Sequence, residues 1–93
     1  MIGTGDRDRP PQTRARAATL ALLAARAPEA TVCPSEVARA LAADDAATAH
    51  WRDAMPTVHV AVDGLVAEGA IRLSWQGAPL ARRRGPYRIA RSP

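Results

Sequence analysis

Pro28, Pro34 and Pro56 fix the outline of this chain before any composition is counted. A proline inside a helix removes one backbone hydrogen bond and clashes with the preceding turn, costing about 3 kcal/mol, so each of the three must stand at an end of a helix. Between and after them the apolar residues recur at helical spacing. TRARAATLALLAARAP, ended by Pro28, places Ala17, Leu20, Leu23, Ala24 and Ala27 on one stripe with arginines on the other side, and Leu22 off it. Thr31 and Val32 form a short extended link to Cys33, the residue before Pro34, which is itself disfavoured in the helical region. Pro34 then suits the first helical position, where its missing N–H has no partner to lose. In that register Cys33 is the N-cap and Glu36 the third helical residue, within reach of the Cys33 N–H as in a capping box. Val37, Ala38 and Leu41 are the buried stripe of this second helix, which runs to about Ala43.

The third pattern, WRDAMPTVHVAVDGLVAEG, repeats Trp51, Met55, Val58, Val62, Leu65 and Val66 and stops at Gly69. Its main helix is expected from Pro56, after a helical turn over Trp51 to Met55. The period then changes. IRLSWQ alternates Ile71, Leu73 and Trp75 against Arg72, Ser74 and Gln76, the rhythm of a half-buried strand, and PYRIAR sets Tyr87 and Ile89 opposite Arg88. Gly77 and Pro79 break the first strand, and Pro86 is compatible only with the start of an edge strand. The two strands read as a hairpin with an arginine-rich loop. Residues 1–11, rich in proline, glycine and charge, read as a tail, and residues 12–91 as a single domain. The predicted class is α+β, mainly α: a winged helix-turn-helix with a three-helix core and a C-terminal two-stranded β-hairpin as the wing.

The blocks CPSEVAR, WRDAMPTV, LVAEGAIRLSWQG and GPYRI, in that order over roughly residues 17–90, resemble small bacterial winged-helix-like domains grouped as a family of unknown function. The resemblance implies the same fold and brings no established activity with it. AATAH is inserted before Trp51 relative to the family pattern, and His59 and Asp63 stand where that pattern implies arginine on the third helix.

Charge is distributed more tellingly than the net +4 suggests. Every basic residue is an arginine. Residues 17–71 carry Arg26, Arg39 and Arg52 against seven acids, whereas residues 72–93 carry Arg72, Arg82, Arg83, Arg84, Arg88 and Arg91 and no acid. Residues 1–16 are also basic, with Arg7, Arg9, Arg14 and Arg16 against Asp6 and Asp8, so an anionic partner should meet the ends of the chain. The single cysteine cannot make an internal disulfide, which suits a reducing cytoplasm. The apolar run Ala17–Ala25 is too short to span a bilayer, so no membrane partner is expected, and Arg26 stands in the would-be cleavage site of a signal peptide.

Four chemical readings compete. Cys33 and Arg39 have the spacing of a cysteine-dependent phosphatase loop, but Pro34 removes an N–H from the cradle, Glu36 puts a negative charge in it, and a helix from Pro34 carries Arg39 away from the thiol. A redox-active Cys33 at a helix N-terminus is a milder version of that idea. The preferred assignment is structural: Cys33, Pro34 and Glu36 as a helix cap. Metal binding would have only Cys33, His50 and His59 to draw on, 17 and 9 positions apart, so no metal or cofactor is expected and the chain reads as non-enzymatic. Nucleic-acid binding is expected through phosphate contacts from the wing, by Arg82, Arg83, Arg84, Arg88 and Arg91, with Arg52, Thr57 and His59 of the third helix as the residues facing a groove. One arginine and three acids on residues 50–69 limit base readout there, so duplex DNA is expected to be held with little sequence preference. The alternative is a protein-interaction or dimerisation module, since many winged helices serve that role.

Overall fold

Helix α1 (Pro11–Ala24) opens on a proline at its first position, its first turn closed by Arg14 N–H to the Pro10 carbonyl at 3.1 Å. A two-residue strand β1 (Thr31–Val32) leads into α2 (Pro34–Asp44). A 3₁₀ turn (Trp51–Ala54) runs directly into α3 (Met55–Ala67), with Pro56 in its first turn. Strands β2 (Ile71–Trp75), β3 (Ala78–Leu80) and β4 (Arg88–Arg91) follow. The structure is a computed structural model and describes residues 10–44 and 50–92. Most of the expected tail, and the AATAH segment before Trp51 except for His50, lie outside the described residues. Pro11, which the sequence placed in the tail, is the first residue of the helix.

The described residues form an α+β domain, mainly helical, with three helices and one antiparallel sheet in the order β1-β4-β2-β3. The expected two-stranded hairpin is thus corrected to four strands. Gly77 does not merely break β2: Gln76 and Gly77, at φ of 52° and 85°, are the two central residues of a tight turn that folds β3 back so that Trp75 pairs with Ala78. Positive φ at both positions is what a type I′ hairpin turn requires. Pro79 is tolerated because β3 is an edge strand and needs no second ladder. β4 is not an edge strand; it lies between β1 and β2, with Ile89 opposite both Val32 and Leu73.

Leu65, Ile89, Val32, Val37, Val58 and Val62 are fully buried, so both α2 and α3, the link β1 and the sheet contribute to one core. Helix α3 ends in a Schellman motif: Gly69 at φ +76° donates to the Val66 carbonyl and Ala70 to the Leu65 carbonyl, each at 3.0 Å. Helix α1 packs on a different stripe from the one expected. Ala15, Thr19 and Leu23 are buried and Leu22 packs against the core, while Ala17, Ala24 and Ala27 are exposed and Leu20 is 37% exposed. Thr19 can be interior because its hydroxyl donates to the Ala15 carbonyl at 2.8 Å. Trp75 also departs from expectation: it has the parity of Ile71 and Leu73 but lies beyond the core at the hairpin tip, 39% exposed.

Candidate nucleic-acid interface

The segment between β3 and β4 carries Arg82, Arg83 and Arg84, and two contacts tie it to α3. Arg83 donates from Nε and Nη2 to the two carboxylate oxygens of Asp63, both at 3.0 Å. Four residues later Tyr87, almost fully buried, shares a 2.8 Å hydrogen bond between its hydroxyl and Nδ1 of His59, with the two rings tilted at 55°. Asp63 and His59 are one helical turn apart on α3, so both contacts fall on one stripe of that helix. A groove of about 330 Å³ between the segment and α3 is lined by Asp63, Val66, Ala67, Arg82 and Arg83.

These contacts set the local electrostatics. The hydrogen bonds from Arg83 hold the Asp63 carboxyl below its ordinary range. Burial, reinforced by the Arg83 charge, lowers the His59 pKa, so the imidazole stays neutral where an exposed histidine would begin to protonate. Burial pushes the Tyr87 hydroxyl well above its usual value. His59 is therefore a half-buried, bonded residue and not the exposed helix residue the sequence suggested. Thr57 is half-buried as well, and Arg52 is exposed.

The arginines expected to form one cationic wing divide into three groups. Arg82 and Arg84 are exposed and make no hydrogen bond or ion pair among the described residues. Arg83 is engaged with Asp63. Arg88 and Arg91 are built into the fold. Arg88 donates to the Thr31 hydroxyl at 2.9 Å, and Arg91 donates to the carbonyls of Leu23 and Arg26, each at 2.6 Å from Nη2, satisfying carbonyls at the end of α1. Arg88 and Arg91 thus stand apart from the exposed Arg82 and Arg84, because β4 is an inner strand whose side chains meet neighbouring elements.

At the start of α2 the Glu36 carboxylate accepts the Cys33 N–H at 2.8 Å and also pairs with Arg26, which bonds it through both Nη atoms. The hydrogen bond from Arg26, then that from the Cys33 N–H, hold this carboxyl at about 2 against the cost of burial. The Cys33 thiol is half-buried, 3.1 Å from the Ser35 hydroxyl, and Pro34 is buried. Arg39 lies out along α2 with its guanidinium over the Trp51 ring and does not fold back to the thiol. Among the described residues no group of three or more histidine, cysteine, aspartate and glutamate side chains gathers to hold a metal ion, and no helix is long and apolar enough to cross a membrane.

Sequence reasoning missed the bonding of Asp63 and His59 to this segment, and nothing in the local pattern signals a carboxylate meeting an arginine 20 residues on. It also missed the ring beneath Arg39, although the Trp51-Arg52 dipeptide is visible in the sequence.

Among the described residues, three helices with a four-stranded antiparallel sheet define the class as a small α+β domain. The chain belongs to the family described as protein of unknown function (DUF3253), whose pattern matches residues 12–92. The expected membership in a family of unknown function is thereby met. No curated protein matches the chain.

Proposed function

We propose that this is a non-enzymatic winged-helix domain that holds duplex DNA through phosphate contacts, with little sequence readout. The fold reading is supported by the strand order, in which the link between α1 and α2 pairs with the last strand and that strand pairs with the one following α3. The segment 81–87 then takes the place of the wing. The observation that carries the functional reading is the double attachment of this segment to α3 through Arg83–Asp63 and Tyr87–His59. It sets two exposed, uncompensated arginines, Arg82 and Arg84, beside the helix that enters a groove in related architectures. Guanidinium groups suit phosphate oxygens, and contacts of that kind give affinity without base identity.

Helix α3 supports weak readout for the same reason. Its exposed positions include Asp63, the exposed Glu68 follows as its C-cap, and His59 is occupied by Tyr87. The single thiol and the lack of a membrane-crossing helix among the described residues suit a protein working in the cytoplasm. Anisotropy titrations with two short duplexes of unrelated sequence test the reading: similar affinities are expected, and strong preference for one duplex, or binding to neither, overturns it.

A second reading, a protein-interaction or dimerisation module, is favoured by one observation. Val60, on α3, is 48% exposed beside a groove of about 230 Å³ lined by Gln12, Thr13, Arg16, Ala61 and Gly64. That reading expects a defined oligomer at moderate salt, and light scattering showing a monomer at all concentrations would count against self-association.

A further inference from the structure

Five guanidinium groups of the described residues are neutralised or satisfied by acceptors within the fold. Arg16 pairs with Glu68, Arg26 with Glu36 and Arg83 with Asp63, while Arg88 and Arg91 bond to backbone carbonyls. Arg39 and Arg52 are handled differently. Among the described residues neither meets a carboxylate; both instead lie over the same ring, that of Trp51, with guanidinium carbons 4.7 and 4.8 Å from its centroid.

The arrangement comes from the fold. Trp51 begins the 3₁₀ turn and is half-buried against the core, which fixes the ring. Arg39 projects from the exposed side of α2 and Arg52 from the exposed side of the turn, and α2 packs directly on that turn. An indole face attracts a cation, and a guanidinium seated on it still presents N–H groups at its edge to an acceptor. The two guanidiniums add their positive charge around one ring, and an anion bound at their N–H edges would offset it. A tetrahedral oxyanion suits the fork of an arginine, which pairs bidentately with phosphate.

We propose that Arg39 and Arg52, gathered on Trp51, form a phosphate-binding site on the α2 side of the domain, separate from the segment that carries Arg82 and Arg84. The phosphate is either free or part of a nucleic-acid backbone. Only the second source rests on the DNA-binding reading, in which the site would hold a second stretch of backbone.

The test uses the full chain carrying Trp75→Phe, so that Trp51 is the remaining tryptophan of the two in the sequence. Its emission is followed during titration with inorganic phosphate at constant ionic strength, and a short duplex is titrated separately by anisotropy. The expected result is a saturable change in Trp51 emission that disappears in Arg39→Gln/Arg52→Gln, with duplex affinity reduced about tenfold in that variant. An emission response without an effect on duplex binding assigns the site to free phosphate. An effect on duplex binding without a phosphate response assigns it to the nucleic-acid backbone. No saturable response in the parent, together with unchanged duplex binding in the variant, overturns the proposal. If the parent binds no duplex at all, the DNA reading fails and the phosphate titration alone decides the site. Arg39→Lys/Arg52→Lys, which keeps both charges on flexible stems, serves if the glutamine variant does not fold and is expected to weaken the response; an undiminished response there contradicts the role given to the stacked guanidiniums.

Discussion

Arg83 meets Asp63 through two parallel hydrogen bonds of 3.0 Å, joining the β3–β4 segment to α3 across 20 residues of chain. One of the arginines best placed to meet a phosphate is thus already held by a carboxylate of the same molecule. A phosphate must compete with Asp63 for it.

Asp63→Asn should therefore raise duplex affinity and steepen its salt dependence by about one unit of slope, since one more arginine becomes available to phosphate. Its effect on stability should stay below about 1 kcal/mol, because both partners are partly exposed. Salt-dependent anisotropy alongside thermal melting checks both halves; unchanged affinity would mean that Arg83 takes no part in binding.

The Tyr87 hydroxyl and His59 Nδ1 form the second attachment, 2.8 Å apart and half-buried. Tyr87→Phe should lower stability by about 1 kcal/mol, or roughly 4–8 °C in melting temperature for a domain of this size. Amide exchange over residues 81–87 should quicken relative to the core.

His59 also gives the fold an acid-sensitive component. Its folded pKa lies below the ordinary 6.5, so under mildly acidic conditions the unfolded chain binds a proton more readily than the folded one. Stability is lost as pH falls through 6.5 toward the folded value, and that part of the loss should vanish in His59→Phe. Urea midpoints measured on either side of 6.5 read this directly.

Glu36 acts at a lower pH. Its carboxyl, ordinarily near 4.5, is held at about 2, so its contribution is complete above 4.5 and lost as pH falls from there toward 2. Glu36→Ala should cost about 1 kcal/mol at neutral pH and flatten the acid limb of the stability curve. An unchanged acid limb would show that the Arg26 and Cys33 bonds do not persist in solution.

Much of this architecture is legible in the residues. Pro34 and Glu36 announce the start of α2 because their chemistry suits only the first and third positions of a helix, and Pro56 and Gly69 bracket the third helix equally well. Phase in α1 was not legible. Alanine occupies both sides of that helix, so its apolar period has little contrast, and the buried Thr19 is concealed by a hydroxyl that bonds its own helix. The sheet was half legible, because alternation identified β2 and β4, but Pro79 reads as a breaker unless the strand is known to lie at an edge. The candidate site was the least legible part. That Arg88 and Arg91 support the fold while Arg82 and Arg84 face solvent depends on which neighbours β4 acquires, and that is tertiary information.

Gln76 offers a check on the hairpin that the sequence pattern did not foresee. It holds φ of 52° without being glycine, ahead of Gly77 at 85°. Asparagine adopts that region more readily, so Gln76→Asn should stabilise the domain by about 0.5 kcal/mol, seen as a melting temperature a few degrees higher. A lower melting temperature would contradict the turn described.

In the proposed function Arg82 and Arg84 of the β3–β4 segment hold duplex phosphates, while Arg88 and Arg91 of β4 hold the fold. Duplex affinity measured against salt for the parent chain and for Arg82→Ala/Arg84→Ala tests it most directly. The expected result is a log–log slope shallower by about two in the variant, with the melting temperature unchanged. Identical slopes in the two proteins, or a parent whose binding ignores salt, would contradict it.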